Sequence, residues 1–84
     1  MTYEITFSDK ALKQIKKMEK SVQERILAVL ESIRTRPEAY LTKLVGDPGY
    51  KLRVGDYRVI LDVDLKELRI LVLKVGHRKS IYGR

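Results

Sequence analysis

The sequence predicts an α+β domain of order β-α-α-β-β-β, with a helical hairpin packed on one face of a four-stranded, mostly antiparallel sheet. Three observations carry that expectation. Apolar residues alternate at period two from Tyr3 to Phe7 and again through residues 50–75, as half-buried strands require. Between them, residues 8–36 place apolar side chains at helical spacing on two successive stripes. The turns at Gly55-Asp56 and Leu65-Lys66-Glu67 are too short for a parallel crossover, so the last three strands form a meander.

Each element has its own signal. Tyr3, Ile5 and Phe7 alternate with Thr2, Glu4 and Thr6 in the first strand. Ser8 is placed to cap the first helix, with Asp9 favourable at its positive end. Ala11, Leu12, Ile15 and Met18 form that helix's apolar stripe, while Lys10, Lys13, Lys16, Lys17 and Lys20 face out. Ser21 with Glu24 three residues later suggests a capping box for the second helix. Val22, Ile26, Val29, Leu30 and Ile33 supply its buried face, and Pro37 ends it near Arg36. Residues 37–49, with two prolines and two glycines, are expected to be a loop. Strands follow from Tyr50, from Tyr57 to about Asp64, and from Leu68 to Val75, leaving residues 76–84 as a basic tail.

Composition narrows the function. Eighty-four residues make one domain, 1–84, in which folding buries only about 60–65% of the chain's surface. An enclosed substrate pocket is not expected in so small a core, and an active site should lie on an open surface. The chain has no Cys and one His, so thiolate chemistry is excluded, a zinc site is disfavoured and no cofactor is expected. Neither a membrane span nor a secretory signal is evident, and a cytoplasmic location is the expectation. Absence of Asn beside 35% charged residues is a bias seen in thermophile proteins. The net charge is +7, and it is uneven: residues 50–84 carry nine Lys/Arg against four Asp/Glu. That asymmetry points to a polyanion partner, nucleic acid first.

Strand alternation shows where the charge goes. Tyr57, Val59, Leu61 and Val63 form the larger apolar set of their strand and should meet the helices, leaving Arg58 on the opposite, uncovered face. By the same rule Tyr50, Leu52 and Val54 turn inward, and Lys51 and Arg53 join Arg58 outside. Three cations brought together repel one another unless a polyanion binds them. Beyond the last strand, His77, Arg78, Lys79 and Tyr82 can fold back over one end of the sheet. Guanidinium on phosphate and a tyrosine ring on an unpaired base suit RNA.

These residues resemble the RelE/ParE superfamily of bacterial and archaeal toxins, over almost the whole chain. The stretch Tyr50-Lys51-Leu52-Arg53-Val54-Gly55-Asp56-Tyr57-Arg58-Val59-Ile60 carries the resemblance, with Val75-Gly76-His77-Arg78 and Tyr82. A RelE-like fold is implied, and so is the toxin of a type II toxin–antitoxin system that cleaves messenger RNA on the ribosome. The implied partners are a RelB-like antitoxin, the ribosome and mRNA, with operator DNA bound only through the antitoxin complex. The implied catalytic set is Lys51, Arg53, Arg58, Arg78 and Tyr82; His77 and Lys79 are expected from the reading of the tail as further RNA contacts. A ParE-like relative would share the fold, inhibit DNA gyrase and have no nuclease activity.

One departure matters. The second basic position of the family, often Lys, is Arg53 here, and arginine does not readily release a proton. Arg53 can supply charge; Tyr82 or Lys51 would handle protons, and Tyr82 could equally stack a base. His77 is either a structural side chain, an RNA contact or a catalytic group. The lysine row of the first helix is either a solvated face or a contact with ribosomal RNA. Two further readings compete: a degenerate toxin retained as half of a repressor complex, and a generic RNA-binding module.

Overall fold

The computed structural model describes residues 2–46 and 49–77. Along the chain run β1 (Glu4–Phe7), α1 (Asp9–Lys16), α2 (Lys20–Ser32), β2 (Thr42–Lys43), β3 (Tyr50–Val54), β4 (Tyr57–Asp64) and β5 (Arg69–His77). A single 3-10 turn, Pro37–Ala39, joins α2 to β2. One sheet is formed in the order β1-β5-β4-β3-β2, with β1 parallel to β5 and every other pair antiparallel. The α+β class and the mostly antiparallel sheet hold; the strand count rises from four to five.

Boundaries differ from the sequence expectation within the 37–49 loop and at both ends of the second helix, each for a visible reason. Inside the expected 37–49 loop, Thr42 and Lys43 pair with Lys51 and Tyr50, and the Leu44 amide donates to the Gly49 carbonyl at 3.1 Å. Both strand residues are exposed, so no burial alternation announces them. The second helix begins at Lys20, after Glu19 rather than at a Ser21 cap. The Glu19 carbonyl accepts from the Val22 and Gln23 amides at 3.0 Å, which starts the helix two residues before a Ser21 cap would. It ends at Ser32 rather than Arg36, because Arg34 is committed elsewhere. The Arg34 carbonyl accepts from the Tyr3 amide at 2.9 Å, and its Nε donates to the Tyr3 carbonyl at 2.8 Å. That exchange ties the end of α2 to the start of the sheet.

Ser8 caps α1 as expected, accepting from the Ala11 amide at 3.0 Å. The inward faces also follow the periodicity. Ala11, Ile26, Leu30, Ile33, Val59, Leu61, Ile70 and Val72 are fully or almost fully buried between the helices and the sheet. Truncating any of the larger ones to Ala should cost about 2–5 kcal/mol. Leu12 departs from the expected stripe of α1: it is 40% exposed, because Ala11 and Ile15 make that helix's contact with the core.

β5 is the longest strand, running through Gly76 and His77 where a tail was expected. A bulge interrupts its pairing: Ile60 faces Lys74 while Leu61 faces Val72, so Leu73 is the extra residue. The bulge lets both Val72 and Val75 point into the core. β1 pairs with β5 only as far as Val72, which leaves the rest of that edge without a neighbouring strand. Side chains of the first helix region complete it. Ser8 Oγ donates to the Leu73 carbonyl at 2.8 Å, and Gln14 Oε1 accepts from the Val75 amide at 2.7 Å. The edge is thereby covered.

Candidate active site

Hydrogen-bond register puts the predicted cations on one face. Opposed residues of antiparallel strands share a face, and Arg53 is opposed to Arg58, which is opposed to Gly76. The neighbouring row is Thr42, Lys51, Ile60 and Lys74. Leu52, Val54, Val59 and Leu61 take the opposite side and are buried against the helices. Lys51, Arg53 and Arg58 therefore do converge on the face away from the helical hairpin.

Their exposure is graded. Arg53 is exposed, with Nε donating to the Gly55 carbonyl at 3.3 Å across the β3–β4 turn. Lys51 is half-buried. Arg58 was expected to be exposed, and the structure corrects this: it is 8% exposed, the one charged residue buried among the described residues. β4 is the central strand of five, with β3 on one side of the arginine and β5 on the other. A guanidinium already withdrawn from bulk water sheds little hydration when it meets an anion, and its charge acts in a lower dielectric.

Lys51, Arg53 and Arg58 line a single open cleft of about 360 Å³ together with Val29, Leu52, Tyr40 and Thr42. It opens at the edge of β3, just past the point where the two residues of β2 stop pairing. Three cations and no carboxylate line it. Tyr40 and Thr42 were not singled out from the sequence, and only the short pairing of β2 brings them beside Lys51. No group of three or more potential metal ligands occurs among the described residues.

His77 lies elsewhere. In register it faces Tyr57, and the two rings meet edge to face with centroids 5.5 Å apart and planes at 74°. Tyr57 faces Val54, so this pair belongs to the helix side of the sheet, away from the three cations. Arg78, Lys79 and Tyr82 lie outside the described residues. The lysines of α1, Lys10, Lys13 and Lys16, with Lys17 and Lys20 beside it, are all exposed as expected.

The family model described as the ParE toxin of the type II toxin–antitoxin system parDE matches residues 5–82. The mRNA interferase toxin RelE of Escherichia coli K12 is 30% identical over 82 residues, covering 94% of this chain and 86% of that protein. The toxin in the intact E. coli RelBE complex aligns with a TM-score of 0.75 at 32% identity, over 89% of this chain and 95% of the other. The RelBE2 toxin–antitoxin complex of Mycobacterium tuberculosis gives a TM-score of 0.86 over 93% of this chain and 100% of the other, a likeness of fold at 18% identity. The chain belongs to the RelE/ParE superfamily, and it is a RelE-like toxin of a toxin–antitoxin system.

Proposed function

We propose that this toxin is a ribosome-dependent endoribonuclease that cleaves mRNA without a metal ion and is neutralised by a RelB-like antitoxin. The observation that carries the reading is the convergence of Lys51, Arg53 and Arg58 on one cleft with no carboxylate in its lining. The relatives named as mRNA interferases, from E. coli K12 and Shigella flexneri, support it. A phosphate-clamping site of this kind suits attack by the substrate's own 2′-hydroxyl on the adjacent phosphorus. The P–O5′ bond then breaks, leaving a 2′,3′-cyclic phosphate on one fragment and a 5′-hydroxyl on the other. Charge accumulates on the non-bridging oxygens in the transition state, and Arg58 and Arg53 neutralise it there.

Arg78 and Tyr82 complete the proposed set, Arg78 as a second phosphate clamp and Tyr82 as a proton carrier or a stacking ring. Lys51 is the other candidate to carry a proton. No role in the chemistry is assigned to His77, which the register puts on the other side of the sheet. Lys79 is proposed as an RNA contact. A site so poor in acid–base pairs works slowly on free RNA, and the ribosome supplies the missing alignment of the 2′-hydroxyl with the P–O5′ bond.

For the partner, neighbours in complex with RelB support a RelB-like antitoxin here. A chain of net charge +7 suits an acidic partner segment that folds as it binds. Any operator DNA would be bound by that complex rather than by the toxin alone. The family model named for ParE favours a second reading, a gyrase inhibitor with no nuclease activity. Primer extension on mRNA bound to ribosomes tests the two. New 5′ ends appearing within the mRNA with purified toxin support the nuclease, whereas intact mRNA with trapped gyrase–DNA complexes overturns it.

A further inference from the structure

Tyr40 is not explained by the fold. The residue is 58% exposed, and its neighbour Leu41 packs against the core. Its backbone, in contrast, is well fixed. Pro37 is buried, and its carbonyl accepts from the amides of both Tyr40 at 3.0 Å and Leu41 at 3.1 Å. Two residues later Thr42 enters β2 opposite Lys51. A short, doubly bonded turn thus holds an exposed aromatic ring at the mouth of the cleft that contains Lys51, Arg53 and Arg58. Val29 and Leu52 give the same cleft an apolar wall.

Cations and ring divide a nucleotide between them. Phosphate oxygens are met by the lysine and arginines, and a base unstacked from its neighbours needs a flat apolar surface. We propose that Tyr40 is the stacking platform for one unpaired base of a single-stranded RNA whose backbone lies on Lys51, Arg53 and Arg58. This rests on the nuclease reading for its substrate class and extends it to a residue outside the proposed catalytic set. Every base has a π-face, so the contact contributes affinity without strong preference among bases. A stacked base is also splayed away from its neighbours, which turns the adjoining phosphate toward the arginines.

The chain has no Trp, so Tyr40→Trp installs a single indole at this position. The variant is titrated with a short single-stranded RNA, and separately with an abasic strand of the same length and charge. Stacking predicts saturable quenching of the indole by the RNA and almost none by the abasic strand. Affinities of Tyr40→Phe and Tyr40→Ala for the same RNA follow. Phe should bind like the wild type, and Ala should bind on the order of tenfold more weakly, the loss expected for one aromatic–base contact. Equal quenching by both strands, or undiminished binding by Tyr40→Ala, overturns the proposal. A wild-type protein that leaves ribosome-bound mRNA intact while base-dependent quenching persists refutes the nuclease reading and keeps Tyr40 as a nucleic-acid contact.

Discussion

Gln14→Leu should destabilise the fold by about 2 kcal/mol, although position 14 lies on a helix surface and takes no part in the proposed chemistry. Beyond Val72 the outer edge of β5 has no strand beside it, and the Val75 amide there is bonded by Gln14 Oε1 at 2.7 Å. Val75 is 1% exposed, so water cannot easily replace the lost acceptor. Leucine has nearly the shape of glutamine, which leaves the unsatisfied N–H as the main change, at about 1–3 kcal/mol. For a domain of this size each kcal/mol moves Tm by about 4–8 °C, so a drop of about 10 °C is expected. Urea denaturation gives the free energy, and hydrogen exchange at the Val75 amide should accelerate in the variant. Gln14→Glu keeps an acceptor oxygen and should lose much less. If Gln14→Leu unfolds at the wild-type urea concentration, the helix side chain does not secure the strand edge.

Other consequences are equally direct. Ser8→Ala removes both the α1 cap and the donor to the Leu73 carbonyl, and should cost about 1–2 kcal/mol by urea denaturation. Gly55 has φ of +60°, and a Cβ there would meet the Arg25 guanidinium at 3.2 Å, so Gly55→Ala should lower stability by about 1 kcal/mol. RNA affinity should fall steeply as salt is raised, with Arg53→Ala reducing the slope of log K against log salt by about one. The complex with an acidic antitoxin, anchored by apolar contacts as well as charge, should survive the same salt in co-purification.

Much of this was legible from alternation and spacing alone. The inward set Leu52, Val54, Val59 and Leu61 and the grouping of Lys51 with Arg53 and Arg58 follow from period two, and the meander from its short turns. Period two says which face a side chain takes but not how deep it lies, so it assigns Arg58 to the correct face and misses its burial. Depth depends on strand order, and the central position of β4 is not written in its own residues. β2 was invisible because two exposed residues carry no alternation, and with it went Tyr40, whose position beside the cleft depends on that pairing. The early end of α2 was hidden for a similar reason: Arg34 is claimed by Tyr3, thirty-one residues away. His77 reads as part of a tail because the Leu73 bulge breaks the strand's period before it.

The most direct test of this toxin's activity is single-turnover primer extension on ribosome-bound mRNA, comparing the wild type with Arg53→Ala. Arg53 is exposed, so its truncation leaves the core untouched and any loss reports on the cleft. Wild-type toxin should produce discrete cleavages in the ribosomal A site, and Arg53→Ala should slow them by about 10–1,000-fold, as loss of one charge-stabilising contact does. Cleavage at the wild-type rate by Arg53→Ala, or no cleavage by the wild type, would contradict a phosphate-clamping nuclease at this cleft.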